Sequence, residues 1–548
     1  MEKFKGRAWK LFIYIIPMIV IIIGYLTDWI YFIQSDDYEM NYIAGGGLHG
    51  TPDEHLIFIK SVYGYIVKSL YNLIPSVNWF GIGYLIVLLV CIYLILHILQ
   101  KEIKLCYALM IALTVEIIVL CWLTFTVVAY LCVVTAFLAF SQVGLKKSKG
   151  QKVTYSVITA IMFWIAYVFR TDALLSGVAL LIPFGIFWLK CVDKRYTIVI
   201  LVVASIGIIT TASVDKITYG SQMWKKYTEY NILRSKMVDY PIAKYQDNSR
   251  MYDELNLSQN DYQCLVNWIF ADKEVYSDKV LNQISKSTEI SDKYELNPIN
   301  ILGKMAKIKE CWIFLIISVL LTLISDKNKK YQIAQVLFTY AVLVALVVIG
   351  RALTRVYVSF FVIGTIAIAY MYLKDKSDCK RRVKNVSIVI IASLIVITTA
   401  LYFNSLNNFR TDIRNREVQY AQERNYILQN KNKFFTASRL ICIMPYRPIS
   451  KTNEMGKLDN ILSTGDWQIY NNTYWDKAKK FNFKYKERLL LNITSDNFLY
   501  IEFAIDGKER TELIKKYLEE HTGKKIQMKI VESFEKTGDK VYKFSCEK

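Results

Sequence analysis

The chain has 548 residues, of which 54% are apolar and 21% charged, and its mean hydropathy is +0.26. The apolar residues gather in windows of roughly 16–23 with almost no charge, the length that crosses a bilayer, whereas a soluble domain carries about 25% charge spread along its length. A soluble globular enzyme, a secreted disulfide scaffold and a disordered chain are excluded, and the composition is that of a polytopic membrane protein.

In chain order, eleven spans are expected at 11–33, 79–99, 106–121, 123–141, 154–169, 173–189, 197–213, 311–325, 331–349, 356–373 and 386–403. The first (LFIYIIPMIVIIIGYLTDWIYFI) is too long for a signal-peptide core and no small-x-small cleavage site follows, so it is expected to stay as an anchor. The net charge of +21 follows this layout. With the N-terminus cytoplasmic, the segments 1–10, 100–105, 142–153, 190–196, 326–330 and 374–385 hold 22 Lys and Arg against 6 Asp and Glu, while the spans and outer segments up to 403 hold 19 against 22. Clusters such as KKSKGQK and KDKSDCKRRVK thus share one side, as the positive-inside rule requires. The charge reports topology and implies no nucleic-acid partner. Eleven spans put the C-terminus outside.

Three substantial pieces lie outside the spans: the loop 34–78, the Tyr-, Asn- and Asp-rich loop 214–310, and the tail 404–548. In the tail, strand-like runs (RLICIMPY, RLLLNI, FLYIEFAI, IQMKIVESF, KVYKFSCE) alternate with helical stretches. Segment 509–520 reads as a helix and EKTGDK as a hairpin turn. The expected fold is an all-α membrane bundle over 1–403 with a small external α/β or α+β domain over 404–548. Ten cysteines are scattered without a metal-binding spacing; Cys442 and Cys546 both fall in the tail and are candidates to pair. No P-loop motif is present, which removes support for ATP-driven transport.

The first outer loop carries the sharpest chemical signal. Asp36 and Asp37 follow the first span by three or four residues. A carboxylate pair desolvated on one side has a raised pKa and suits proton abstraction; the alternative is a solvated helix end. Adjacent side chains diverge, so one of the two is expected to face a cavity, and Asp37, nearer the following AGGGLHG, is the favoured one. Thr51-Pro52-Asp53-Glu54 then reads as a helix start. From Pro52 to about Leu73, Leu56, Ile59, Tyr63, Ile66, Val67, Leu70 and Tyr71 form one apolar face, which suits a helix lying on the membrane.

Later charges are candidates by position. Arg170-Thr171-Asp172 sits between two short spans, where ionisable groups are functional or close a tight hairpin as an ion pair. Arg351 and Arg355 flank the short outer turn GRALTR, against the positive-inside rule; a guanidinium fork there suits a phosphate, or the two snorkel. Arg234 and Asp239 in the second outer loop suit a sugar site or a plain surface helix. Glu116 lies inside an otherwise apolar span, where packing against a hydroxyl or a cation is the simpler expectation. His49 and His55 could join a metal site with Asp36 or Asp37, but the spacing fits no standard motif and no metal is expected.

A membrane helix, an acidic pair immediately outside it, helices lying on the membrane and then a ladder of spans resemble the GT-C glycosyltransferases. Asp36-Asp37-Tyr38, Gly45-Gly46-Gly47, Thr51-Pro52-Asp53 and His55-Leu56-Ile57-Phe58-Ile59 also look like polytopic proteins of Gram-positive bacteria. The resemblance covers roughly residues 1–403. It implies an acidic residue of the first outer loop as catalytic base and a polyprenyl-phosphate- or polyprenyl-diphosphate-linked sugar donor. It also implies a glycan or lipid-linked acceptor at the outer face of a bacterial plasma membrane. Asp36 and Asp37 take the base's position, with Arg351, Arg355 and Arg170 for the donor phosphate. Asp172, Arg234, Asp239, Glu54 and His55 are candidates for substrate contacts. Some GT-C members use a divalent metal and many do not, so no cofactor is expected. A polysaccharide repeat-unit polymerase or ligase, and a non-catalytic lipid-glycan transporter or assembly protein, are the alternatives.

Overall fold

The computed structural model describes residues 2–48, 50–288, 294–325, 328–374 and 407–547, apart from 409, 413, 417, 439, 441–442, 444–446, 449–456 and 504–508, with side chains from Ile13 onward. The expected span 386–403, His49 and Cys442 lie outside the described residues, as does most of RLICIMPY.

The bundle comprises α1 (Glu2–Leu26), α2 (Ser35–Ala44), α3 (Ser61–Leu73), α4 (Trp79–Leu99), α5 (Leu105–Cys121), α6 (Phe125–Leu145), α7 (Lys149–Phe169), α8 (Thr171–Leu180), α9 (Ile182–Leu189) and α10 (Lys194–Thr218), then the helices Lys309–Leu323, Lys329–Val348 and Thr354–Leu373. Among the described residues six helices are long and apolar enough to cross a membrane (α4, α6, α7, α10, Lys329–Val348 and Thr354–Leu373), and the α8–α9 pair, bent by 63°, would make a seventh. Pro183 opens α9, and its ring cannot continue the preceding turn. The apolar part of α1 (Ile13–Leu26) and α5 are shorter, and so is the 15-residue helix Lys309–Leu323. Among the described residues the expected count of eleven is therefore not confirmed, although each expected span there coincides with a helix or with this bent pair. The first ends at Leu26 instead of 33, because Asp28 enters the left-handed region (φ 51°) and residues 28–34 leave the helix.

α6 is the axle of the bundle, buried along nearly its whole length. Its neighbours bring together at one end the basic connectors: Lys101 Nζ donates to Tyr155 Oη at 2.7 Å, Lys190 Nζ donates to Tyr331 Oη at 2.9 Å, and Lys374 pairs with Glu102. The opposite end carries α2, the α7–α8 and 349–353 turns, and the tail.

The tail folds as a five-stranded mixed sheet in the order β2-β1-β3-β5-β4, with β1 (Phe434–Ala437), β2 (Ile461–Ser463), β3 (Phe498–Glu502), β4 (Ile526–Ser533) and β5 (Lys540–Cys546). β1 pairs in parallel with β2 and β3, and β4–β5 form the expected hairpin over EKTGDK. Side chains alternate between faces. Phe435, Ala437, Ile461, Leu499 and Ile501 pack with the bundle core. Phe434, Leu462, Phe498 and Tyr500 pack on the other face with Tyr230, Tyr252, Leu265, Tyr276 and Ile284 of the second outer loop. Loop 214–310 and the tail thus share one core, with the sheet between it and the bundle.

Two local expectations are corrected. RLLLNI forms a helical turn at Leu489–Asn492, not a strand; all four residues are buried, and a short apolar run buried on every side carries no period. The helix expected from Pro52 starts at Ser61. Asp53 Oδ1 accepts from the His55 backbone N–H at 2.9 Å and lies 2.6 Å from His55 Nδ1, and Ile57 sits at φ 64°, so residues 52–60 are held as an irregular loop. In α3, Tyr63, Val67 and Tyr71 turn inward while Ile66 stays exposed.

Candidate functional site

A cavity of about 570 Å³ lies where α2, the outer turns and the tail meet. α2 begins after Gln34 and carries Asp36 and Asp37 in its first turn, where the exposed N–H groups and the helix dipole favour negative charge. It ends at the glycine run. Gly46 (φ +80°) folds the chain back so closely that a Cβ there would sit 2.6 Å from the Thr51 carbonyl carbon.

The two adjacent acids have different surroundings. Asp36 lines the cavity, and among the described residues its carboxylate makes no hydrogen bond. Protein encloses it, which raises its pKa; Arg355, then Arg170 and Arg234, oppose the shift. Asp37 is fully buried. Its Oδ1 accepts from Phe125 N–H at 2.8 Å and Tyr84 Oη at 2.9 Å, while its Oδ2 has no partner. Burial pushes Asp37 up to about 8, so it holds a proton at neutral pH. The expectation favoured Asp37 as the acid facing the cavity. The geometry reverses it, because Asp37 points one helical step away, into the α4–α6 contact.

Arg170, Arg234, Asp239, Arg351 and Arg355 all line the same cavity. Arg170 interrupts the helix between α7 and α8, pairs with Asp172 at 3.0 Å, and lies 5.3 Å from the ring centre of Phe125. Gly350 (φ +68°) ends the helix Lys329–Val348 and turns Arg351 inward, 3.5 Å from Asp239. Arg355, in the first turn of the next helix, makes no hydrogen bond or ion pair through its guanidinium among the described residues. Arg234 comes from α11 (Gln222–Asp239); it is 5% exposed and its Nε donates to Asn231 Oδ1 at 2.7 Å.

The cavity does not gather every candidate. Asp172 points outward, with its side chain 78% exposed. Glu54 accepts from Lys68 Nζ at 2.6 Å, and the His55 ring stacks on Trp224 at 4.5 Å; neither lines the cavity. Glu116 is fully buried and neither carboxylate oxygen makes a hydrogen bond, so the expected pairing with a hydroxyl or a cation is not seen among the described residues. Among the described residues two groups have the geometry to hold a metal ion, Asp53-Glu54-His55 and Asp261-Glu520-His521, with ligand atoms in each within 4.8 Å of one another. Both lie off the cavity.

The lining residues without a reading in the sequence include Glu39, Trp268, Asp466 and Trp467. Glu39 follows Asp36 by three positions, one helical turn along the same face, and that spacing was the available signal. Asp466 and Trp467 follow β2, and Gly465 between them and the strand lets that loop press on Trp268, whose carbonyl oxygen would lie 2.1 Å from a Cβ at 465. Gln468 Nε2 donates to Glu39 Oε2 at 2.9 Å, and Gln468 N–H donates to Asp466 Oδ1 at 2.7 Å. Burial pushes Asp466 up to about 6, and burial together with Asp466 pushes Glu39 well above the usual carboxylate range.

No protein-family model and no curated protein sequence matches this chain. Among solved structures, the apo crystal structure of ArnT from Cupriavidus metallidurans is similar over 98% of each chain, at 10% sequence identity and a TM-score of 0.40. A likeness of that size assigns no activity to this chain.

Proposed function

We propose that this multi-pass membrane protein is an inverting glycosyltransferase of the GT-C kind. It would move a sugar from a polyprenyl-phosphate or polyprenyl-diphosphate carrier to a glycan or lipid-linked acceptor at the outer face of a bacterial plasma membrane. One observation carries the reading: an enclosed carboxylate without a hydrogen bond, Asp36, and an unpaired guanidinium, Arg355, share one cavity wall. Asp36 takes the proton of the acceptor hydroxyl as the acceptor oxygen bonds to the sugar's anomeric carbon. The bond from that carbon to the phosphate oxygen breaks, and its electron pair leaves with the polyprenyl phosphate. Arg355, Arg351 and Arg170 offset the charge developing on the leaving phosphate. Protonated Asp37, anchored to Tyr84 and Phe125, positions the helix turn that presents Asp36.

The reading is tested by supplying the purified protein with a polyprenyl-phosphate-linked sugar and an acceptor mixture from a bacterial envelope. Release of the lipid phosphate together with labelled product is expected. No turnover with either a monophosphate or a diphosphate carrier would overturn it. A second reading, a repeat-unit polymerase or ligase, draws on Arg234, a cavity arginine supplied by the large outer loop; products that grow by whole repeat units would favour it.

A further inference from the structure

The cavity wall is divided by charge along a line that starts at the outer turns of the bundle. Arg355 and Arg170 act most strongly on Asp36, whereas the cations acting on Asp466 are Arg234 and Lys477. Lys477 is itself occupied, with Nζ donating to the Ile461 carbonyl at 2.7 Å. Past Asp36, toward the sheet, the wall consists of Glu39, Asp466, Ser438, Ser463, Trp268 and Trp467. β1 and β2 run in parallel, and Ser438 and Ser463 stand at their C-terminal ends, the edge at which open parallel sheets bind ligands. Two carboxyl groups offer hydrogen-bonding oxygens, two serines add hydroxyls, and two indoles add flat apolar faces. These are the complements of a sugar ring's hydroxyls and its C–H face. An added anion would meet Asp466 with Arg234 as the nearby cation, and Arg234 is already bonded to Asn231.

We propose that Glu39, Asp466, Ser438, Ser463, Trp268 and Trp467 form the acceptor subsite, and that it takes an uncharged saccharide in preference to a uronic acid or a phosphorylated sugar. This rests on the glycosyltransferase reading for its role, and the tail is then half of the site.

The test uses the full-length protein in nanodiscs and an array of neutral oligosaccharides with matched uronic-acid and phosphorylated counterparts. Polyprenyl-phosphate binding is measured in parallel as a check on folding and on the donor side. The wild type is expected to retain at least one neutral saccharide about tenfold more tightly than its uronate, a free-energy difference of about 1.4 kcal/mol. Glu39→Gln is expected to weaken that binding about tenfold, and Asp466→Asn to narrow the neutral-over-uronate preference, while both keep polyprenyl-phosphate affinity. Tightest binding of uronates or phosphosugars, or variants that bind every saccharide as the wild type does, would overturn the proposal. So would Gln or Asn variants that lose polyprenyl phosphate and saccharide together, since the residues would then belong to the donor side. Neutral-sugar binding that depends on Glu39 and Asp466 in a protein that turns over no lipid-linked donor would sink the transferase reading and leave the subsite standing.

Discussion

Two enclosed aspartates in this molecule are treated in opposite ways. Asp272, in the core shared by the second outer loop and the tail, is fully buried and saturated. Arg488 Nε donates to both of its oxygens at 3.0 and 2.9 Å, Tyr517 Oη donates at 2.6 Å, and Glu274 N–H donates at 3.1 Å. Asp36 has none of these partners, although four arginines line the cavity around it. A buried charge without partners is costly, and the fold evidently can satisfy one. The difference separates a charge tied into the structure from one that lines a cavity without a hydrogen bond.

The comparison breaks most readily at Asp36. Asp36→Asn is expected to lower single-turnover transfer by about 10²–10⁴-fold, the usual worth of a general base, with the melting temperature unchanged or raised. An Asn variant that transfers at the wild-type rate would remove Asp36 from the chemistry. Arg488→Met should do the reverse. Leaving Asp272 buried and uncompensated costs about 3–5 kcal/mol, read as a lower denaturation midpoint of the purified protein; an unchanged midpoint would show that the pair holds nothing. Arg355→Ala should reduce donor turnover by about 10²-fold, the loss expected for one transition-state donor, without loss of stability. Lys at that position should restore it only in part, because the planar fork is gone.

A pH-dependent effect belongs to Asp37. Its ordinary pKa of 3.8 is raised to about 8 in the folded protein, so folding takes up a proton between those values. Its contribution to stability is complete below pH 3.8 and is lost as the pH rises through 8. Asp37→Asn, which keeps an oxygen for Tyr84 and Phe125, is expected to flatten the fall in melting temperature across that window. A variant whose pH profile matches the wild type would assign the slope to other groups.

What could be read from the sequence was local. The acidic pair after the first helix, and arginines on the wrong side of the charge pattern, needed only hydropathy and spacing, and Asp36, Arg170, Arg234, Asp239, Arg351 and Arg355 do meet in one cavity. Glu54 and His55 drew attention by nearness in sequence to Asp36, but the irregular loop 52–60 carries them to Lys68 and Trp224. The preference for Asp37 over Asp36 failed because adjacent positions of a helix point about 100° apart, and the direction of the cavity is a tertiary fact. Asp466 was out of reach for a different reason. It stands 430 positions from Asp36 in the sequence, brought there by strands β1, β2 and β3, which are buried on both faces and so carry no alternation to place them. For the same reason RLLLNI could not be told from a strand.

The shared core also sets an order of assembly. Tyr230, Tyr252, Leu265 and Ile284 emerge with segment 214–310, but Phe434, Tyr500 and Phe544, with which they share a core, are made about 150 to 310 residues later, after further spans have been inserted. Until then the loop exposes a row of aromatic and aliphatic side chains that nothing nearby in sequence can cover. Pairings of such long sequence separation close slowly. Biogenesis of this protein therefore includes an interval in which a half-built domain waits beside the membrane, its apolar side chains still open to chaperones and proteases.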